Sequence, residues 1–123
     1  MALSIGFLAF PVLTQLDMTG PLQVLGRLPN TNGHIIANTL APVKSDGALM
    51  IPPTTTFAEC AKLDVMCIPG GYGAPDAIRE AETMAFVKSR GAEAAWVTSV
   101  NTGAFLLGAA GLPTGKRATT HWA

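Results

Sequence analysis

Apolar positions along this chain fall mostly in short unbroken runs, separated by Gly, Pro and small polar residues. Residues 4–10 (SIGFLAF) are continuously apolar until Pro11. That is the pattern of a strand covered on both faces, where neither side needs a polar residue every second position. A second such run, residues 65–68 (VMCI), is closed by Pro69, Gly70 and Gly71. Residues 34–37 (HIIA) are short and β-branched, and Asp46 with Gly47, between VK and ALMI, signals a hairpin turn. Helical spacing enters at three places. Pro21 is a good first-turn residue for a helix over 21–28, because its missing N–H is not needed there. Pro75 starts another helix, and residues 81–90 carry Ala, Met, Phe and Val at helical intervals, with Gly91 as a stop. A last short strand is expected over 117–120. Strands alternating with helices predict an α/β domain with a mostly parallel sheet and hairpin strands attached to it.

Residues 96–111 (WVTSVNTGAFLLGAAG) hold the most informative pattern. A β-branched strand over 96–100 meets a small polar kink. A helix then runs from Thr102 or Gly103 to Ala110, with Gly111 as its cap. Such a tight strand-to-helix turn lifts the kink side chain clear of the sheet and needs small residues two places away on either side. Here those are Ser99 and Gly103. The first N–H groups of the helix would face the kink, a setting that stabilises a thiolate or an oxyanion. The kink residue is Asn101, whose amide is neither nucleophile nor acid. On its own, Asn101 reads most simply as an N-cap that tolerates strained backbone.

Ligands in parallel sheets bind beyond the carboxyl ends of the strands. Asp17, the glycine turn at 70–73 and Asn101 all follow strand ends and are expected on one rim. Asp17, in QLDMTGP between the first strand and first helix, could hold or pass a proton if partly buried. Alone it is a turn carboxylate. The N–H groups of Gly70, Gly71 and Tyr72 could form an anion nest, or a plain tight turn. Thr102 could cap the helix or hydrogen-bond a reacting group. His121, beside Trp122, is a candidate for the pocket wall.

Composition narrows the class. Eight basic and eight acidic residues cancel, and Lys88 with Arg90 or Lys116 with Arg117 make no basic stripe. Nucleic-acid binding is therefore not expected. Charged residues are only 13%, against about 25% in an ordinary soluble domain, so this chain is expected to bury surface against a second subunit or the rest of its own domain. Every apolar run is too short for the ~20 residues of a membrane span. The N-terminal MALSIGFLAF lacks the charged leader of a signal peptide. Cys60 and Cys67 match no zinc spacing, and read as buried, inert thiols of a cytoplasmic protein.

Taken in order, IGFLAFP, QLDMTGP, LDVMCIPGG, TSVNTGAFLLGAAGL and GKRATTHWA resemble the ThiJ/PfpI superfamily, and within it the isonitrile hydratase branch. The resemblance spans the chain. It implies one flavodoxin-like three-layer domain over residues 1–123, related to the class I glutamine amidotransferases and shorter at its C-terminal side than the complete domain. It also implies a homodimer, a small-molecule substrate and no metal or organic cofactor. In that branch an elbow cysteine attacks the terminal carbon of an isonitrile, R–N≡C. The thioimidate takes up water and collapses to an N-substituted formamide, which is hydro-lyase chemistry. Carried over by position, Asp17 is the carboxyl that contacts the thiol and Thr102 the residue after it. Gly70, Gly71 and Tyr72 are the backbone near the nucleophile. Protease-like branches carry His after the cysteine, and Thr102 argues against them. This chain departs from the pattern at Asn101, which cannot form a thiolate, so it is expected to be inactive by the covalent route. Weak hydration through Asp17 and water is the residual possibility. A companion C-terminal polypeptide could complete the domain. The alternative is a non-catalytic ligand-sensing domain of a helix-turn-helix transcriptional regulator.

Overall fold

The computed structural model describes residues 2–112 and 119–120. Its core is a parallel sheet built from five strands, β1 (Leu3–Leu8), β2 (Thr31–Ala37), β5 (Thr55–Thr56), β6 (Val65–Ile68) and β7 (Trp96–Ser99). A two-stranded antiparallel unit, β3 (Val43–Lys44) with β4 (Met50–Ile51), stands apart from it. The sheet order is β5-β2-β1-β6-β7. Without the short edge strand β5, this is the doubly wound order in which the chain reverses direction between β1 and β6. The central strands are covered on both faces, which is why they read as unbroken apolar runs: Ile5, Phe7, Leu8, Met66, Cys67 and Ile68 are all buried. Gly6 sits among them because a Cβ there would come within 2.5 Å of Leu63 Cδ1 and 2.6 Å of Ile36 Cδ1.

Among the described residues four helices flank the sheet: α1 (Gln15–Leu25), α2 (Ala74–Arg79), α3 (Ala81–Glu93) and α4 (Gly103–Ala109). The α/β, flavodoxin-like architecture expected from the sequence is the one observed. Strand β6 matches its expected bounds, the hairpin unit is present, and Pro75 lies in the first turn of α2. The cap of α4 is a Schellman turn. Leu112 N–H donates to Leu107 O at 3.1 Å and Gly111 N–H to Gly108 O at 3.0 Å, with Gly111 at φ 75°.

Three expectations need correction. Helix α1 does not start at Pro21. It starts six residues earlier, and Pro21 lies inside it. Burial of Leu13, Asp17 and Met18 anchors the first turns against the sheet, and that packing overrides the local preference of Pro for a helix start. Helix α3 runs through Gly91 to Glu93. Gly91 provides clearance instead of a stop, since a Cβ there would lie 2.5 Å from Leu112 Cδ1. Thr119 and Thr120 belong to no strand, while residues 117 and 118 of that expected strand lie outside the described residues. Two further differences are additions. β2 begins at Thr31 because β1 offers it partners from Leu3 onward, and β5 pairs with the end of β2.

Candidate active site

The loops that leave β1, β6 and β7 meet at one rim, beside the point where the chain order reverses. The loop after β1 is wedged between β3 and the glycine turn. Val12 N–H donates to Lys44 O at 2.8 Å, and Val12 O accepts from Gly73 N–H at 3.1 Å. Thr14 N–H donates to Gly70 O at 2.9 Å. This close approach depends on missing side chains. A Cβ on Gly71, which has φ 132°, would lie 2.5 Å from Thr14 N, and one on Gly73 would overlap the Pro11 carbonyl. Val12 itself sits at φ 62°, a left-handed conformation that is costly for a β-branched residue.

This wedge delivers Asp17 to the rim from the first turn of α1. The carboxylate is buried, 8% exposed. It accepts from Gly70 N–H at 3.2 Å, and the Asn101 amide nitrogen lies 3.1 Å from both of its oxygens. Asn101 has φ 50°, so the bend after β7 has the strained geometry of an elbow. Gly103 is required by contact as well as by flexibility: a Cβ there would lie 2.5 Å from Ile68 O and 2.7 Å from Pro69 O. Thr102 completes the cluster. Its hydroxyl accepts from Gly71 N–H at 2.9 Å and reaches Gly71 O at 3.4 Å.

The rim therefore brings Asp17, Gly70, Gly71, Asn101 and Thr102 together. Two simpler readings fall away. The Asn101 side chain pairs with Asp17 instead of capping α4, and Thr102, the N-cap by position, makes no side-chain cap bond. The nest is also partly used internally, because Gly70 N–H serves Asp17 and Gly71 N–H serves Thr102. The first N–H groups of α4 bond to the carbonyls of Val100, Asn101 and Thr102 at 2.9, 3.3 and 3.0 Å. They are not free to face a ligand. The Tyr72 side chain is 91% exposed. With Gly71, Ala74, Pro75, Ile78, Thr102 and Phe105 it lines an open cleft of about 450 Å³. His121 lies outside the described residues.

Sequence reasoning missed Ile78, Phe105 and Thr120. The Thr120 hydroxyl donates to the Asn101 carbonyl at 2.7 Å, and nothing local signals a contact across 19 residues. Phe105 sits in an apolar run and is 52% exposed. Both cysteines are free thiols and buried. Burial raises both thiol pKa values above the ordinary 9.0, opposed at Cys60 by the Arg90 charge and at Cys67 by a hydrogen bond from Thr98. Among the described residues no helix is long and apolar enough to cross a membrane, and no group of three or more His, Cys, Asp or Glu could hold a metal.

The chain belongs to the DJ-1/PfpI family, whose profile matches residues 3–123. It is 53% identical over 123 residues to an isonitrile hydratase of Pseudomonas putida, covering all of this chain and 54% of that protein. A crystal structure of a ThiJ/PfpI family protein from Pseudomonas syringae superposes with a TM-score of 0.96 at 44% identity, covering 99% of this chain and 51% of that one. An uncharacterised protein encoded in the cpoL 5′ region of Streptomyces lividans is 34% identical over 119 residues, covering 94% of this chain and 84% of that protein. The chain thus spans about half the length of the isonitrile hydratase it matches.

Proposed function

We propose that this chain carries the elbow half of an isonitrile hydratase-type site, in which Asn101 occupies the nucleophile position and covalent turnover is blocked. The observation that carries the reading is the pairing of Asn101 with the buried Asp17 carboxylate, 3.1 Å from both oxygens, in a chain 53% identical to the Pseudomonas putida isonitrile hydratase. A thiol at the same bend would lie beside that carboxylate, with Gly70 N–H holding one carboxyl oxygen. The thiol would give its proton to the Asp17 carboxylate and add as thiolate to the terminal carbon of R–N≡C, and that proton would return to the same carbon, giving the thioimidate R–N=CH–S. Water would then add to the thioimidate, and expulsion of the thiolate would leave R–NH–CHO. The net reaction adds one water to the isonitrile. An amide cannot start this sequence, so the chain as it stands binds isonitriles without consuming them.

The test is Asn101→Cys, made in this chain and in a chimera whose C-terminal half comes from the Pseudomonas putida enzyme. Formamide is then followed by chromatography. The reading requires turnover in the folded chimera that carries Asn101→Cys and none in the chimera that keeps Asn101. A folded Asn101→Cys chimera without turnover would refute it. The second reading, a non-catalytic ligand-sensing domain of a transcriptional regulator, is favoured by one observation: φ 50° at residue 101 suits Asn better than most side chains. It requires ligand binding with no turnover even after Asn101→Cys.

A homodimer belongs to the first reading. Its support is the exposed face of α1, where Leu16 and Val24 are 66% and 68% exposed on either side of Gly20, while Asp17, the charged residue of this helix, is buried. Sedimentation velocity on the wild type and Leu16→Glu tests it. The two unpaired thiols favour the cytoplasm.

A further inference from the structure

Residue 101 is held through both its side chain and its main chain. Its amide pairs with the Asp17 carboxylate. Its carbonyl accepts from two donors, Ala104 N–H at 3.3 Å and the Thr120 hydroxyl at 2.7 Å. The carbonyls on either side, those of Val100 and Thr102, accept helix N–H groups at 2.9 and 3.0 Å. The 101 carbonyl therefore makes the longest bond in the first turn of α4, and it is the one that a side chain from outside the helix reaches. Among the described residues no other side chain hydrogen-bonds to the main chain of residue 101. Thr120 stands 19 positions further along the chain, outside every helix and strand. Its hydroxyl spends its one proton on this carbonyl.

That carbonyl belongs to the peptide joining residue 101 to Thr102, and its orientation sets ψ of the first and φ of the second. Residue 101 lies at φ 50°, in a small left-handed region that a residue other than glycine keeps only where its surroundings fix it. A turn of this peptide plane would move the 101 side chain off Asp17. It would also carry the Thr102 hydroxyl away from Gly71 N–H, from which it accepts at 2.9 Å. We propose that Thr120 is a positioning residue for the elbow: by holding the 101 carbonyl, its hydroxyl keeps the side chain at 101 directed at the Asp17 carboxylate. For the amide this is a matter of geometry alone. For a thiol at 101 it deepens, and rests on, the isonitrile reading above, since the thiol must face Asp17 to give up its proton. A single neutral hydrogen bond, net of what water would supply, shifts a local equilibrium by roughly fivefold.

The experiment compares Thr120→Val, which keeps the size of the side chain and removes the hydroxyl, with Thr120→Ser, which keeps the hydroxyl. Thr120 is partly exposed, so both variants are expected to fold, and circular dichroism checks that they do. In the chain with Asn101 in place, solvent exchange of the Asn101 side-chain amide protons is followed by NMR, their resonances assigned by their loss in Asn101→Ala. Exchange should be about fivefold faster in Thr120→Val than in wild type, and within about twofold of wild type in Thr120→Ser. A lower melting temperature with unchanged amide exchange would make Thr120 merely structural and overturn the assignment, as would equally fast exchange in both variants. The second arm uses the chimera that carries Asn101→Cys. There Thr120→Val should lower kcat for formamide about fivefold with KM within about twofold, and Thr120→Ser should restore it. An effect confined to KM would overturn the assignment. A folded chimera without turnover, beside faster amide exchange in Thr120→Val, would remove the isonitrile reading and leave the positioning role of Thr120 standing.

Discussion

Helix α4 contains two glycines whose substitution should have opposite effects. At Gly103 a Cβ would lie 2.5 Å from Ile68 O and 2.7 Å from Pro69 O, and at Gly108 it would meet nothing within 4 Å. The obstructing atoms at Gly103 are main-chain oxygens at the end of β6, so no rotamer change relieves the contact. Ordinary contact begins near 3.4 Å, so Gly103→Ala must push α4 and the β6 end apart by about 0.9 Å (3.4 minus 2.5), a little less if the strain is shared. Overpacking of this kind costs about 1–3 kcal/mol. Removing a glycine from the unfolded ensemble returns roughly 0.4–1 kcal/mol. The clash wins at 103, giving a net loss of about 1–2 kcal/mol, and the entropy term stands alone at 108, giving a gain of roughly 0.5 kcal/mol. For a chain of this size a kcal/mol moves the melting temperature by roughly 3–5 °C. Thermal unfolding followed by circular dichroism should therefore place Gly103→Ala several degrees below wild type and Gly108→Ala slightly above it. The same displacement would lengthen the Thr102 to Gly71 contact, visible as a shift of the Gly71 amide resonance. A Gly103→Ala protein that melts with or above Gly108→Ala, its Gly71 amide unmoved, would refute the close approach that forms the elbow.

Three further outcomes follow from the same geometry. A double-mutant cycle on Asp17→Ala and Asn101→Ala should give a coupling of about 1.5–3 kcal/mol, the range for a hydrogen bond to a charged group; coupling near zero in urea denaturation would mean the pair is not formed. Stability should fall above pH 9, because burial raises the Cys60 and Cys67 thiol pKa values in the folded state. Below the unfolded value both states hold the proton and the contribution is whole; above it the unfolded chain ionises first and the contribution is lost as pH rises through the folded values. The Cys60→Ala/Cys67→Ala variant should lose less of its urea midpoint between pH 8 and pH 10 than wild type in the presence of reductant, and an identical loss would contradict the assignment. Val12→Gly should stabilise the chain by about 1 kcal/mol, since relief of left-handed strain is worth roughly 1–3 kcal/mol and glycine costs roughly 0.5–1 kcal/mol; a lower melting temperature would show that Val12 contributes more through packing than it loses in strain.

The elements legible from sequence are those whose environment repeats along the chain. β6 and β1 are apolar on both faces, and that pattern is visible in VMCI and SIGFLAF without knowing their partners. The elbow was legible for a different reason: its steric demands fall within five residues, from Ser99 to Gly103. Longer-range causes were hidden. The start of α1 is set by burial of Leu13 and Met18, in packing that involves β6 as well as the neighbouring β1, so Pro21 misled the local reading. β5 (Thr55–Thr56) has no apolar alternation and exists because β2 presents an edge to it. At the site, residue types identified Asp17 and Asn101, but nothing in QLDMTGP announces that its carboxylate would meet an amide 84 positions away. The sequence likewise shows an apolar residue at 105 without showing that it is left half exposed.

The rim is held by backbone clearance more than by the side chain at its centre. Gly71, Gly73 and Gly103 each admit a neighbouring main chain at a distance no other residue would allow, and the loops they join carry strain at Val12 and Asn101. Asp17 also accepts from Gly70 N–H, a contact that residue 101 does not make. Substituting residue 101 therefore removes one donor from the carboxylate but none of the main-chain contacts that bring the three loops together. A cysteine at φ 50° would lose the favour that Asn enjoys in that region, a cost on the order of 1 kcal/mol, while the bend itself would persist. A preformed elbow of this kind is compatible with a TM-score of 0.96 to a family crystal structure even when the residue at its apex cannot react. In this architecture the shape of the bend rests on main-chain contacts that the side chain at 101 does not make, so Asn101→Cys is expected to leave that shape standing.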